Sequence, residues 1–301
     1  MVVTNRTKSE SGGPMSVLFL SSGPSQHNDN YVRIPDAFSA GGWRVTVKSH
    51  ESLSYLNGYI CAEASDAHLV DYDLIWPIGF GNVATFLDRV GLLQLIPQTK
   101  LVTSMNAWLT AHGKSAFLDR APPSAVASCA QTLLEFMDCE GGDWVLKPNA
   151  GSFGRDVHFV PQGKQGRDTL VSVMERADGE FFMLQRFVPA IKDGETRTLI
   201  ADGQILGSYL RTPTRDIRAN VALDAHVERT DLSATAQGLV EDLSAHLFRA
   251  NVGFAAIDTV GEHLIEVNIA NPGGLATLTE LYEHDFAADL VAVIAARDFD
   301  R

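Results

Sequence analysis

Basic residues are scarce in this chain of 301 residues, which has 24 Lys and Arg against 37 Asp and Glu and a formal net charge of −13 at pH 7. No run of Lys or Arg interrupts the acidic excess. Because nucleic acids and anionic membranes attract proteins mainly through clustered basic side chains, the composition argues against both as main partners. Any phosphate site must therefore be built locally, from a few basic side chains and backbone N–H groups.

Cysteines and long apolar runs are scarce as well. Cys61, Cys129 and Cys139 show no spacing typical of a metal or redox site, which predicts buried structural thiols in a reducing cytoplasm. No apolar run reaches the length of a transmembrane helix, and residues 1–14 lack the apolar centre of a signal peptide. We therefore expect a cytoplasmic protein with a disordered tail over residues 1–14.

A dinucleotide-binding fingerprint is also missing, since no G-x-G-x-x-G follows the first apolar run. The first third of the chain instead alternates short apolar runs with amphipathic stretches. This alternation predicts helices at 31–40 and 82–95 and strands at 16–21, 43–47, 73–77 and 100–103. Strands that alternate with helices are typical of a parallel α/β domain, which we expect over residues 15–105.

The rest of the chain has a mixed pattern that predicts two further units, over residues 106–187 and 188–301. Their predicted helices are 106–118, 124–136, 169–177, 234–250, 275–284 and 287–296. Their predicted strands are 144–147, 157–160, 181–187 and a hairpin of 199–201 and 205–210 around Asp202-Gly203, a strong turn signal.

A second predicted hairpin, over residues 253–268, has its turn at Gly261-Glu262. Because side chains alternate along a strand, Glu266 and Asn268 share a face, and the turn places Asp258 across from Glu266. Oxygen ligands without His or Cys suit Mg²⁺ better than zinc. The alternative is an exposed hairpin with ordinary surface acids.

A lysine at the end of an apolar strand precedes a loop of small residues. Lys147 is followed by Gly151-Ser152-Phe153-Gly154. Such a loop lets backbone N–H groups approach phosphate oxygens while the lysine supplies charge. The alternative is a hairpin with a solvated lysine.

Further polar groups follow the strand predicted at 181–187. The linker after it could offer backbone groups to an adenine edge, and Glu195 could take ribose hydroxyls. Arg197, Arg211 and Arg218 make an arginine cluster typical of phosphate or carboxylate binding. The alternatives are a surface salt bridge and simple charge balance.

The order of these elements resembles the ATP-grasp enzymes, and among them the bacterial glutathione synthetases. VPAIKDGETR followed by IADGQILGSYLR is similar to that group's lid-to-hairpin region, and GFAAIDTVGEHLIEVNIANPGG to its metal strand and the turn beyond. The resemblance covers residues 106–296. It implies an α/β and α+β architecture, in which an N-terminal parallel α/β (pre-ATP-grasp) domain precedes an ATP-grasp fold with a small lid subdomain.

The resemblance also implies roles for single residues. Those expected to bind ATP are Lys114, Lys147, Gly151, Ser152, Phe153, Gly154, Gln185, Arg186, Phe187, Val188 and Glu195. Those expected to hold Mg²⁺, as two ions with Mn²⁺ as a substitute, are Asp258, Glu266 and Asn268. Those expected to act on the transferred phosphoryl group or the acceptor are Arg197, Arg211, Arg218 and Asn220.

Some positions depart from the pattern of that family. Its paired glycines in the acceptor loop are Asp224-Ala225 here, its Ser-Pro-Thr is Asn271-Pro272-Gly273, and its following Arg-Glu is Ala276-Thr277. Its N-terminal Arg-Asp-Pro-Pro is replaced by residues 76–79. Since these positions would read the substrate, we expect a product other than glutathione.

The activity implied by the resemblance is an ATP-dependent carboxylate–amine ligation through an acyl phosphate. The expected substrates are an amino acid or short peptide and an amine, and a homo-oligomer is possible. Two alternatives stay open: a glutamate ligase of RimK type that modifies proteins or peptides, and a nucleotide-binding regulatory protein without ligase activity.

Overall fold

The computed structural model describes residues 13–23, 28–63, 67–150, 155–214 and 225–297. Most of the predicted tail lies outside these ranges. So do the predicted phosphate loop, residues 151–154, and Arg218, Asn220 and Asp224.

The N-terminal region is built on a small parallel sheet. Its elements are β1 (Ser16–Ser21), α1 (Asn30–Ala40), β2 (Arg44–Ser49), β3 (Ser54–Leu56), β4 (Tyr59–Cys61), β5 (Leu74–Ile78), α2 (Phe86–Leu93) and α3 (Met105–Thr110). The three parallel strands lie in the order β2–β1–β5, which confirms the predicted architecture. Every residue of β1 and β5 is buried, as expected for strands covered on both faces.

Two predictions for this region were wrong or incomplete. Residues 100–103 do not form a strand: a 3₁₀ turn covers Gln98–Lys100, and only Leu101 pairs with β5, in a single bridge to Ile75. The hairpin of β3 and β4 was missed. Its Asn57-Gly58 turn has positive φ at both residues, which matches a type I′ turn and could have been recognised.

The middle region carries a four-stranded antiparallel sheet. Its elements are β6 (Ser124–Ala127), α4 (Ala130–Glu140), β7 (Trp144–Pro148), β8 (His158–Val160), α5 (Lys164–Glu175) and β9 (Phe182–Arg186). The strands lie in the order β6–β9–β7–β8, and α4 and α5 pack on the sheet through a core that includes Trp144, Leu146 and Leu170.

The two helices predicted at 106–118 and 124–136 were correct only in part. The first ends at Thr110, well before residue 118, and Gly113 instead bridges to Val267. The second, at 124–136, begins as strand β6, because residues 124–127 add to the edge of β9 and satisfy its backbone groups. Helix α4 starts only after the extended Cys129.

The C-terminal region carries a five-stranded antiparallel sheet. Its elements are β10 (Glu195–Ala201), β11 (Gln204–Thr212), β12 (His226–Arg229), α6 (Ala234–Arg249), β13 (Phe254–Val260), β14 (His263–Asn268), α7 (Leu275–Tyr282) and α8 (Phe286–Ala295). The strands lie in the order β12–β11–β10–β13–β14. Both predicted hairpins are confirmed, whereas β12 was not predicted.

The N-terminal and C-terminal regions share one hydrophobic core. Phe19 and Trp76 of the parallel sheet pack with Phe254 of β13 and Leu290 of α8 in a single buried cluster. This shared core fixes the carboxyl edge of the parallel sheet next to the segment that leaves β14, where Gly79 donates its N–H to the Ala270 carbonyl at 2.8 Å.

The cysteines only partly follow the prediction of buried thiols. Cys61 is buried, but Cys129 and Cys139 are exposed. Cys129 directly precedes α4, and Cys139 lies in its last turn. In the described ranges, no helix is long and apolar enough to cross a membrane.

Candidate active site

A carboxylate and two arginines form the buried centre of the C-terminal sheet. The antiparallel register places Arg197 of β10 opposite Asp258 of β13. The guanidinium is bidentate: Nε donates to Asp258 Oδ1 at 2.8 Å and Nη2 to Oδ2 at 2.6 Å. Arg211 of β11 adds a third contact, Nη2 to Oδ1 at 3.2 Å. Burial alone raises a carboxyl pKa, but the two arginines outweigh it and hold the pKa of Asp258 below its usual range.

Glu195 is the second acid of this centre. It lies opposite Arg211 in the β10–β11 register, and Arg211 Nη2 donates to its Oε2 at 2.6 Å. Burial raises the pKa of Glu195 to about 7 even though Arg211 acts in the opposite direction. The carboxyl is therefore held by an arginine in this structure, and its contact with a ribose stays a prediction.

The predicted metal ligands lie on neighbouring strands. Asp258 is directly opposite Glu266, as the hairpin pattern predicted, and Asn268 follows Glu266 by two residues on β14. Lys114 Nζ lies 3.4 Å from Glu266 Oε1, and the bridge from Gly113 to Val267 holds the lysine there. The described residues contain no group of three His, Cys, Asp or Glu side chains able to hold a metal.

The chemistry of this donor set nevertheless fits a hard cation. Asp258, Glu266 and Asn268 offer only oxygen donors of the kind that Mg²⁺ prefers. The side chain of Glu266 is 25% exposed and can reach an ion, whereas Asp258 already shares both its oxygens with arginines. A cation at Asp258 must therefore displace or share at least one guanidinium contact.

Lys147 approaches this centre from the middle region. It is buried at the end of β7, and its Nζ donates to Gln185 Oε1 at 2.9 Å. Burial lowers the pKa of Lys147 to about 8, while the charges of Glu266, Lys114, Glu195 and Asp258 also act on it. Charges of the C-terminal sheet therefore act on a lysine of the middle sheet.

In the predicted adenine-binding linker, the side chains of Gln185 and Arg186 point to opposite faces of the sheet. Because side chains alternate, Gln185 faces Lys147, whereas Arg186 points away and lies over the Trp144 ring at 4.2 Å from its centroid. Arg186 also donates to the Gly141 carbonyl. Phe187 packs edge-on against Phe159, with ring centroids 5.0 Å apart. The side chain of Arg186 is thus engaged away from Lys147, and for this residue the backbone stays the candidate for adenine contact. Gln185, Phe187 and Val188 stay candidates as predicted.

Sequence reasoning missed two asparagines whose amides meet the turn after β14. Asn28 and Asn30, next to the start of α1, both bond to the turn at residues 271–273. His112 was missed too: its Nδ1 accepts the Ile269 N–H at 3.4 Å, and burial lowers its pKa. An asparagine immediately before the first predicted helix was the one signal that could have been used.

Comparison with known proteins places the chain in a family. The model of the family described as prokaryotic glutathione synthetase, ATP-grasp domain, matches residues 113–283. The glutathione synthetase of Prochlorococcus marinus subsp. pastoris is 28% identical over 220 residues, which are 71% of this chain and 71% of that protein.

Two solved structures share the fold. D-cycloserine synthetase DcsG superposes with a TM-score of 0.68 at 15% identity, over 93% of this chain and 98% of that one. The ATP-grasp ligase PsnB, solved with a phosphomimetic variant of its minimal precursor, Mg and ADP, gives 0.66 at 13% identity, over 94% and 99%.

These likenesses establish the ATP-grasp fold, with the N-terminal parallel sheet that the sequence predicted. Because the family model matches more than half of the residues, the chain belongs to the prokaryotic glutathione synthetase family. It is a glutathione synthetase-like ATP-grasp ligase that forms an amide bond, which confirms the predicted class of enzyme.

Proposed function

We propose that this ligase uses ATP to activate a carboxylate of an amino acid or short peptide and joins it to an amine through an acyl phosphate. One observation supports the proposal: the charges of Glu195 and Asp258 in the C-terminal sheet act on the buried Lys147 of the middle region. These two carboxylates are in turn paired with Arg211 and Arg197. Few functions other than handling a multiply charged group require so many buried, mutually compensating charges.

The nucleotide would lie between the middle and C-terminal sheets. Lys114 and Lys147 would contact its phosphates or the adenine N7, and residues 151–154 would cover the phosphates. The linker from Gln185 to Val188 would meet the adenine and Glu195 the ribose. The two buried amines attract phosphate strongly because little water competes for them.

Asp258, Glu266 and Asn268 would hold Mg²⁺, as two ions, with Mn²⁺ as a substitute. When bound, such ions neutralise charge on the phosphate oxygens and orient them. A homo-oligomer and a cytoplasmic location are part of the same proposal.

The reaction then needs no nucleophilic side chain. A carboxylate oxygen of the acid attacks the γ-phosphorus, the bond from that phosphorus to ADP breaks, and ADP leaves. The amine nitrogen attacks the acyl carbon, its carbon–oxygen bond breaks, and phosphate leaves with that oxygen while the amine proton goes to solvent. Arg197 and Arg211 would stabilise the charge on the transferring group, and Arg218 and Asn220 would contact the acceptor.

The experiment is an assay of ADP release with a panel of acids and amines. The panel pairs γ-glutamyl dipeptides and single amino acids with small amines, and a second arm offers peptides and whole proteins as acceptors. We expect ADP release that requires both an acid and a small amine. Release only with peptide or protein acceptors would instead support the RimK-type alternative. Nucleotide binding without release under any condition would support the regulatory alternative.

A further inference from the structure

We infer that Asn30 is a positioning residue for the phosphoryl-transfer site: it fixes the turn after β14, and through this turn it sets the position of the Arg197 guanidinium. This inference rests on the proposed function of Arg197. It concerns a residue of the N-terminal region whose side chain bonds to the turn at Asn271 and Pro272.

Asn30 binds the turn with both hydrogens of its amide. It is the first residue of α1 and is 0% exposed. Its Nδ2 donates to Asn271 Oδ1 at 2.9 Å and to the Pro272 carbonyl at 2.8 Å. Two bonds to groups on adjacent residues determine both the position and the rotation of the turn. Burial keeps water from replacing either bond.

Two neighbouring groups hold the same turn from the N-terminal side. Asn28 Nδ2 donates to the Asn271 carbonyl at 3.1 Å, and Asn28 Oδ1 accepts the Asn30 N–H at 3.0 Å. Gly79 holds the preceding residue, Ala270, through a backbone bond of 2.8 Å. The N-terminal region therefore forms hydrogen bonds with three consecutive residues, 270–272, shortly after the strand that carries Glu266 and Asn268.

The far side of the turn contacts Arg197. The Gly273 carbonyl accepts from Arg197 Nη1 at 3.2 Å, while Nε and Nη2 are both used on Asp258. A guanidinium bonded at two nitrogens to one carboxylate can still tilt about that carboxylate. The third bond restricts the tilt, so the position of the Gly273 carbonyl sets where Arg197 presents its remaining N–H groups.

Close packing prevents the turn from relaxing by itself. Gly274 has φ +128°, and a Cβ there would lie 2.7 Å from Tyr209 Oη. A Cβ at Gly273 would lie 3.4 Å from Asn28 Nδ2. The turn is therefore confined between Tyr209 of the C-terminal sheet and the asparagines of the N-terminal region. The contact with Tyr209 limits local adjustment of the turn backbone, so we expect the turn to move as a unit when the asparagine bonds are lost.

The unpaired oxygen of Asn30 indicates that its amide hydrogens are the important groups. Among the described residues, Asn30 Oδ1 is buried and has no hydrogen-bond partner. Burying an unpaired amide oxygen is unfavourable, so this side chain is a poor choice for stability alone. An alanine would avoid that loss but would leave the Pro272 carbonyl and Asn271 Oδ1 without their donor.

The test compares Asn30→Ala and Asn30→Asp with a matched control, Asn251→Gly. Asn251 also donates its Nδ2 to a carbonyl of a distant segment, Gln98, at 2.9 Å, and its φ of 58° suits glycine. It lies outside the charge centre. Three quantities are measured: the affinity for Mg·ADP by calorimetry, hydrogen exchange of residues 269–275, and kcat and KM with the acid–amine pair that gives turnover.

In Asn30→Ala we expect exchange of residues 269–275 to accelerate and kcat to fall, each by about tenfold, with KM for ATP and Mg·ADP affinity within about twofold of wild type. At alkaline pH the kcat of Asn30→Asp should fall as much as that of Asn30→Ala, because a carboxylate cannot donate to either acceptor. Its kcat relative to wild type should recover as the pH falls, because a protonated carboxyl donates one bond. Asn251→Gly should change none of these quantities by more than about twofold.

Unchanged exchange and unchanged kcat in Asn30→Ala would overturn the inference. So would a loss of kcat that is matched by equal losses in nucleotide affinity and in the Asn251→Gly control, since that pattern belongs to general destabilisation. If wild type shows no turnover with any pair, the proposed function fails. The exchange measurement still decides whether Asn30 holds the turn.

Discussion

Two residues of the candidate site have pKa values that burial moves toward neutrality. The pKa of Lys147 is lowered to about 8 and that of Glu195 is raised to about 7. The sequence identified both residues as candidates, because Lys147 precedes a loop of small residues and Glu195 lies two residues before Arg197. It could not predict their protonation, since that depends on burial and on charges brought from other strands.

Replacing Lys147 by alanine should weaken ATP binding while the protein stays folded. A charge-assisted bond to phosphate is worth roughly 1.5–3 kcal/mol, so the affinity should fall by tenfold or more. Calorimetric titration with an ATP analogue measures this loss. Lys164→Ala is the matched control, because its side chain is 88% exposed in the same region of the fold. Equal affinities of wild type and Lys147→Ala would refute the assignment.

Nucleotide affinity should also depend on pH. Because the protonated amine attracts phosphate, affinity should fall as the pH rises through the Lys147 pKa of about 8. The free energy of unfolding of the free protein should instead rise with pH between about 8 and the ordinary lysine pKa of 10.5. In this range Lys147 is protonated in the unfolded chain but mostly deprotonated in the folded one. Lys147→Arg, which keeps its charge, should bind with little pH dependence in this window. A wild-type affinity that does not change with pH contradicts this account.

At the scale of elements, local turn signals predicted both hairpins of the C-terminal sheet, although the β3–β4 hairpin was missed. Local patterns failed where distant strands compete for the same segment. The Gly261-Glu262 turn set the register that places Asp258 opposite Glu266. The segment 124–136 has an apolar spacing that suits a helix, yet its first residues form β6. The edge of β9 offers them hydrogen bonds that no local pattern reveals.

Replacing Glu266 by glutamine should abolish turnover while ATP still binds in part. One charged oxygen ligand is lost, whereas Lys147 and the linker after β9 remain. Turnover is measured by ADP release and binding by calorimetry. Glu262→Gln is the matched control, since Glu262 is exposed at the tip of the same hairpin. Near-native turnover of Glu266→Gln at ordinary Mg²⁺ concentrations would show that this hairpin is not the metal site.

At the scale of the whole molecule, the candidate site lies beside the contact between the N-terminal parallel sheet and the C-terminal antiparallel sheet. The sequence predicted the order of these two sheets along the chain but not how they pack. The parallel sheet was predicted by type, and three of its four predicted strands were found. Its docking onto the turn at residues 270–273 was not predictable. Asn28 and Asn30 meet Asn271 across more than 240 residues of sequence, at 243 and 241.

The same contact bears on substrate choice. By the sequence resemblance, the turn at residues 271–273 takes the place of a Ser-Pro-Thr, and Asn271 uses its side-chain oxygen on Asn30. The same resemblance implies that Ala276 takes the place of an arginine, which could bind a carboxylate with two bonds. We therefore expect little glutathione from γ-glutamylcysteine and glycine, although another pair should support ADP release. Rapid turnover of these two substrates below millimolar concentration would show this expectation to be wrong.

The central claim is that ATP activates a carboxylate as an acyl phosphate. The most direct measurement uses the acid from the panel that supports turnover, with ¹⁸O in its carboxylate. The phosphate released is then analysed by mass spectrometry. The account predicts that each phosphate carries one oxygen from the acid, because the carbon–oxygen bond breaks when the amine attacks. Phosphate without the label, released while the amide still forms, would contradict it.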